Sequence, residues 1–309
     1  KAGGRDYFYN EKKSDRPGDE RNLLLNDRQV KFEKYLTDAF SEKAVEFINE
    51  SSQPFMMYLA YNAVHTPMQA TDEDMAKFEG HPRQKLAAMT YALDRGVGTV
   101  IRGLKDSGKF DNTLIFFLSD NGGATTNQSS NYPLKGFKGN KFEGGHRVPY
   151  FVVWKNGIPA GKPYDGLVSS LDIFATAIDA ASISKTRNRL DGVSLLPYLK
   201  GKKGEPHKVL YWRKMDTRAI RSGDYKLIIT HGVDSVLYNI RRDPEEMNNL
   251  INKEPDLYRK LAKKLAKWEK NECIEPSWLE EGWRKITNRY HQQLMHNEIK
   301  TAQDLYKKK

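Results

Sequence analysis

The stretch Thr113-Leu-Ile-Phe-Phe-Leu-Ser-Asp-Asn-Gly-Gly123 decides the fold class. Its first half is a continuous apolar run of strand length, the pattern of a strand buried on both faces. It stops at Asp120-Asn121-Gly122-Gly123, residues that favour a turn. Upstream, Leu86, Met89, Leu93, Val97, Val100 or Ile101, and Leu104 recur at steps of three and four, which predicts a helix closed by Gly108. Before that helix, Pro54-Phe-Met-Met-Tyr-Leu-Ala-Tyr61 predicts another buried strand, ended by His65-Thr66-Pro67. Leu36, Phe40, Ala44, Val45, Phe47 and Ile48 predict a helix over 35–49, with Thr37 or Ser41 available as caps. Downstream, Val148-Pro-Tyr-Phe-Val-Val-Trp154 predicts a third strand, and Leu171, Phe174, Ala175, Ile178 and Ala181 a further helix. Strand and helix alternate, so the expectation is an α/β fold with a mostly parallel sheet between helices.

After about Gly201 the pattern changes. Val209–Arg213, Arg218–Ile229 and Ser235–Ile240 alternate apolar and polar residues and are joined by short turns. They predict a small antiparallel sheet, with a helix over 256–270 beside it. The expected division is therefore 1–200, part of an α/β catalytic domain, and 201–309, an antiparallel subdomain with a helical tail. The first residues, through Asp27, are polar and read as a long loop around Tyr7-Phe8-Tyr9.

Composition bounds the function. Of 309 residues, 38% are hydrophobic and 29% charged, which permits a packed core. No run approaches the ~18 consecutive apolar residues of a membrane-spanning helix. The single cysteine, Cys273, excludes an internal disulfide framework and a zinc-finger ligand set. The net charge is +11, and residues 201–309 hold 24 Lys+Arg against 16 Asp+Glu, or +8 of that surplus. A solvated helix face such as Leu261–Trp268 accounts for part of it, and attraction of a polyanion is the functional alternative. No RNA-binding, zinc-module or recognition-helix signature accompanies the charge, which disfavours nucleic acid.

Strand ends of an open α/β sheet are where ligands bind. Asp120 and Asn121 put two hard oxygen donors at one such end, suited to Ca²⁺ or Mg²⁺, although the same residues also make a plain turn. The loop Lys135-Gly-Phe-Lys-Gly-Asn-Lys-Phe-Glu-Gly-Gly-His-Arg-Val-Pro149 combines lysines with glycines. Glycine lets backbone approach a ligand, and lysine supplies charge to an oxyanion.

These segments, together with Asn62–Pro67, Asp191–Leu199, Arg218–Leu227 and Leu237–Leu250, strongly resemble the formylglycine-dependent type I sulfatases of the alkaline-phosphatase-like superfamily. They come in that family's order, and the resemblance spans 35–261. It implies a sulfuric ester hydrolase acting on a sulfated carbohydrate. In it, Asp120 and Asn121 would bind one catalytic Ca²⁺, and His65 would contact the sulfate and the bridging oxygen. Lys138 would sit on the sulfate, with Lys135 and Lys141 as alternatives in register. Arg147 and Glu143 would pin the loop. Trp212 and Arg213, in the basic last third, would favour an anionic glycan. His81, His146, His207, His231, His291 and His296 carry no such implication.

The family's nucleophile is a formylglycine made from Cys or Ser in a Cys/Ser-x-Pro-x-Arg motif, and no such motif occurs in this sequence. Cys273 has its proline three residues on and no matching arginine. The family's N-terminal acidic pair and its N-terminal Lys/His pair are absent too. The expectation is the C-terminal part of a sulfatase, inactive alone, with the remainder of the fold as its partner. Family habit implies a periplasmic, cell-surface or secreted setting. Two alternatives stand beside this reading. One is a phosphodiesterase or phosphonate hydrolase of the same superfamily, disfavoured because those more often carry His where Asn121 stands. The other is an inactive polyanion-binding module.

Overall fold

A computed structural model describes residues 6–8, 23–26, 28–127, 129–183, 189–273 and 281–307. Most of the expected N-terminal loop, Tyr9 included, therefore lies outside the described residues. The chain divides into two compact units, Lys1–Thr113 and Leu114–Lys309.

In the first unit, β1 (Leu23–Leu25) and β2 (Arg28–Val30) form a small antiparallel hairpin that the sequence pattern did not announce. Three helices follow: α1 (Leu36–Glu50), α2 (Asp72–Ala76) and α3 (Gln84–Asp106). Apolar stripes at helical spacing bury Leu36, Ala44 and Ile48 of α1 and Ala88, Met89 and Ala92 of α3. Close approach of the two helices requires glycine. A Cβ on Gly96 would lie 2.6 Å from Ser41 Oγ, and one on Gly103 2.8 Å from a Val45 methyl. Arg95 ties the helices, donating to both oxygens of Asp38 and to Asp74.

Residues 54–61 correct the expectation of a buried strand. They form no strand, and Met56 and Tyr58 are 68% and 88% exposed. A strand needs a ladder partner for its backbone groups, and no described strand pairs with this segment.

In the second unit, β3 (Ile115–Leu118), α4 (Glu143–His146) and β4 (Tyr150–Val153) lead to α5 (Asp172–Ala180) and α6 (Leu196–Leu199). β3 and β4 pair antiparallel, with Ile115 opposite Val153 and Leu118 opposite Tyr150. The mostly parallel sheet is thus not found, and every strand pair among the described residues is antiparallel. The local reason is the connection. Parallel neighbours need a crossover, usually a helix of some length, whereas residues 119–149 hold loop and the four-residue α4.

The antiparallel meander expected near the C-terminus is present as β5 (Val209–Lys214), β6 (Thr217–Ser222), β7 (Tyr225–Thr230) and β8 (Asp234–Asn239), in that order. The run 218–229 divides into two strands at a turn where Gly223 takes φ +56°. Alternation sends Ile220, Leu227 and Leu237 to one face, against Leu261 and Leu265 of α7 (Pro255–Glu272). Ala219, Ile228, Val236 and Tyr238 face the other way, onto Phe137, Phe142 and Leu294–Met295 of α8 (Glu281–Met295). A last short helix, α9 (Asp304–Lys307), closes the described chain. The sheet is thus flanked by α7 on one side and by the lysine–glycine loop and α8 on the other.

Candidate active site

The turn after β3 runs through Gly122 and Gly123, where the packing leaves no room for a Cβ. Gly122 N–H donates to the Gly145 carbonyl at 3.1 Å, and a Cβ on Gly122 would lie 1.8 Å from the Gly144 oxygen. Gly123 donates to Asn131 Oδ1 at 2.8 Å, while its own carbonyl accepts from the Lys138 amide at 2.9 Å. Asn131 Nδ2 also donates to the Gly136 carbonyl at 3.0 Å. The segment carrying Lys138 is therefore hydrogen-bonded directly to the turn carrying Asp120 and Asn121, so the second unit brings these three residues into one neighbourhood.

Asp120 is exposed and Asn121 half-buried. Asn121 Nδ2 donates to Asp120 Oδ1 at 2.8 Å, which sets the amide beside the carboxylate and leaves Asn121 Oδ1 and Asp120 Oδ2 as oxygen donors. That donor set suits a hard cation but gives only two of the roughly six to eight oxygens Ca²⁺ takes. Among the described residues, no group of three His, Cys, Asp or Glu side chains is placed to hold a metal.

The three candidate lysines part company. Lys138 is exposed. Lys135 is fully buried, its ammonium donating to the Glu246 carbonyl at 3.0 Å and to Asn297 Oδ1 at 2.5 Å, over the rings of Phe142 and Tyr238. Burial pulls its pKa down to about 8, against the opposing pull of Glu246. Lys141 is half-buried, and its pKa is likewise drawn down to about 8, by burial and then by the charges of Lys214 and Lys226.

Beneath the loop lies an ionic network that sequence reading missed. Glu143 at the start of α4 accepts from Lys226 of β7 at 2.9 Å, and its backbone N–H donates to Glu246 Oε2 at 2.6 Å. Lys226, with no exposed surface, also lies 2.9 Å from Glu246 Oε1. Burial pushes the Glu246 carboxyl up to about 7. Burial is also the largest single influence on Glu143, but Lys226 and His146 together outweigh it and hold that carboxyl well below the carboxylate range. Glu143 thus takes the pinning role the resemblance implied. Arg147 stands 3.6 Å from it and is largely exposed. His146 packs on Trp212, ring centroids 4.5 Å apart, and is held neutral, its pKa near 4, chiefly by burial. Arg213 is turned to Glu269 of α7 at 3.4 Å. Both Trp212 and Arg213 therefore have internal partners.

His65 belongs to the first unit. It is exposed, and its Nδ1 donates to the Thr66 carbonyl at 2.7 Å, which fixes the ring's orientation. Tyr7 fixes the backbone here, its hydroxyl donating to the Asn62 and His65 carbonyls at 2.5 and 3.0 Å.

A family model described as Sulfatase matches residues 1–183, more than half of the chain. The chain belongs to the sulfatase family. A second model, N-sulphoglucosamine sulphohydrolase, C-terminal, matches residues 138–271. The sulfatase chain is 39% identical over 201 residues to the uncharacterized sulfatase YdeN of Escherichia coli, covering 62% of this chain and 36% of that protein. It is 32% identical over 202 residues to the N-acetylgalactosamine-6-sulfatase of Canis lupus familiaris, covering 63% and 38%. Among solved structures, Ps i-CgsB in complex with k-i-k-neocarrahexaose superposes with a TM-score of 0.78 at 36% identity, over 87% of this chain and 62% of that one. The chain thus spans well under two thirds of the length of these curated relatives.

Proposed function

We propose that the chain is the part of a sulfuric ester hydrolase that grips the sulfate of a sulfated carbohydrate and half of its metal. The observation that carries this reading is the hydrogen bond from the Lys138 amide to Gly123, which sets an exposed lysine beside the Asp120–Asn121 pair. Family membership supports it, as do relatives named N-acetylgalactosamine-6-sulfatase and a structural neighbour in complex with k-i-k-neocarrahexaose. Asn121 and the sulfatase relatives disfavour the phosphoester alternative.

Sulfate-ester cleavage moves negative charge onto the sulfuryl oxygens and the departing alkoxide. The Lys138 ammonium meets the sulfuryl oxygens with a fixed positive charge, worth most where it meets charge that develops in the transition state. His65 Nε2, once protonated, hands its proton to the bridging oxygen, so the alcohol rather than the alkoxide departs. Ca²⁺ bound by Asp120 Oδ2 and Asn121 Oδ1, with further ligands from outside these residues, would supply Lewis-acid charge at the sulfate. The formylglycine nucleophile would likewise come from outside them, since the sequence holds no Cys/Ser-x-Pro-x-Arg motif. A periplasmic, surface or secreted setting follows the family resemblance alone.

The test is metal stoichiometry in active enzyme containing this chain. Chelation should abolish most turnover and Ca²⁺ restore it, and Asp120→Ala should lower bound Ca²⁺. Unchanged metal content in that variant would remove Asp120 from the site.

A further inference from the structure

Neither family match extends beyond residue 271, yet the chain that follows α8 is bound to the loop carrying Lys138. The Gly136 amide donates to the Lys300 carbonyl at 2.8 Å. Lys135 Nζ donates to Asn297 Oδ1 at 2.5 Å, and the Tyr306 hydroxyl of α9 donates to the Thr125 carbonyl at 2.7 Å. The Lys300 ammonium is ion-paired to Glu245 and lies 5.3 Å from the centre of the Tyr132 ring. These contacts meet the loop at residues 125, 132, 135 and 136. They hold most of its length, not one point.

The segment is itself anchored. Ile299 and Ala302 are buried in the same core as Phe137 and Phe142, and Leu305 packs against it. Asp304 Oδ2 accepts from the Lys300 and Thr301 amides at 3.0 and 2.8 Å, which closes the turn into α9 and fixes the backbone at Lys300. From there a continuous run of hydrogen bonds leads to Lys138. Gly136 donates to Lys300, and its own carbonyl accepts from Asn131 Nδ2. Asn131 Oδ1 accepts from the Gly123 amide, and the Gly123 carbonyl accepts from the Lys138 amide. A lysine stem is flexible, so an exposed ammonium meets developing charge only where its backbone is held in place.

We infer that residues 296–307 are a positioning strap for the sulfate-binding loop, with Asn297, Lys300 and Tyr306 as positioning residues that act through Lys138. This rests on the sulfate-gripping role proposed for Lys138. The turn after β3 holds one end of the run of bonds and the strap holds the other. Loosening the strap lets the Lys138 ammonium wander. A wandering ammonium still meets the sulfate of bound substrate but misses the charge of the transition state, so kcat falls more than KM rises.

The test uses active enzyme containing this chain, nitrophenyl sulfate as the probe, and the paired substitution Tyr306→Phe with Lys300→Met. Tyr306 is exposed and Lys300 half-buried, so the pair should fold. It should lower kcat about tenfold and move KM by no more than about twofold. In a Lys138→Ala background the same pair should cost nothing further, because it acts through that ammonium. Lys300→Arg, which keeps the charge beside Glu245 and Tyr132, should retain most of the parent's kcat. Hydrogen exchange in the peptide 124–138 should quicken about tenfold in the pair. An unchanged kcat, or an equal loss in the Lys138→Ala background, would overturn the inference. If Lys138→Ala itself costs nothing, the sulfate role of Lys138 falls and exchange decides alone: a faster rate keeps the strap, and an unchanged one overturns it. Should the pair not fold, Tyr306→Phe by itself removes one hydroxyl and carries the same comparisons, with an expected loss of about threefold in kcat.

Discussion

Lys135 and Lys138 stand three residues apart, one sealed against Phe142 and Tyr238, the other in solvent beside Gly123. Removing them should have different consequences. Lys138→Ala in active enzyme should cost about 10²–10³ in turnover, by analogy with loss of one oxyanion donor, with little change in melting temperature. Lys135→Ala should instead destabilise the fold by about 2–4 kcal/mol, since it strips the Glu246 carbonyl and Asn297 of a buried charged donor. Turnover per folded molecule should fall less than in Lys138→Ala, and a larger fall would move the sulfate role to Lys135. His65→Ala should lower turnover on a sugar sulfate by about 10² or more and on a nitrophenyl sulfate much less, because a good leaving group needs no proton. Equal losses on both would reduce His65 to a sulfate contact. At this scale motif order and a strand end pointed to Asp120, Asn121 and Lys138, and the Lys138 amide is hydrogen-bonded to the turn that follows that strand, while their roles stand as proposals. It left Lys135 and Lys138 as rivals because burial is not a local property: what covers Lys135 comes from residues 238, 246 and 297.

At the scale of elements, the loop holding Lys138 is anchored through α4, whose Glu143 meets Lys226 from β7 and Glu246 from the segment after β8. Two buried carboxylates share one buried ammonium. Lys226→Met should therefore remove their shared buried counter-charge, leaving only Arg147 and Arg221 at 3.6 and 3.9 Å from Glu143, and cost about 3–5 kcal/mol. Chemical denaturation would measure this. Adding Glu143→Gln and Glu246→Gln to Lys226→Met should recover a substantial part, and no recovery would mean that shape rather than charge holds the loop. The sequence pattern predicted α1, α3, α5, α7 and the antiparallel meander, all of which bury one face at a regular period. It could not show the Glu143–Lys226–Glu246 contact, which joins Glu143 to partners 83 and 103 positions away. The direction of the β3–β4 pairing was hidden for a related reason. A continuous apolar run marks a buried strand whichever way its neighbour points, so periodicity carried no sign of the antiparallel register.

For the molecule as a whole, buried His291 and half-buried His146 set an acid limit on stability. His146 and His291 are both held neutral in the fold, with pKa values near 4, chiefly by burial and further by neighbouring lysines. In the unfolded chain each returns to about 6.5. Above that pH both states are neutral and the full stability is present. As pH falls from about 6.5 toward 4, the unfolded chain takes up protons the fold refuses, and stability is lost, by up to about 3 kcal/mol per histidine. Glu246 acts in the opposite sense over part of this window, because its folded pKa near 7 lies above the unfolded value and the fold gains as it protonates. The net slope of the parent protein is thus a difference, and a single variant isolates one contribution. His291→Gln keeps a donor for the Thr287 carbonyl and has no charge to acquire. In sulfate-free buffer, its stability should fall less steeply than the parent's between pH 6.5 and 4, while the two should run parallel above pH 7. Denaturation midpoints across that range would measure both slopes. If the curves stay parallel down to pH 4, His291 carries its proton equally in both states, and burial is not what holds it neutral.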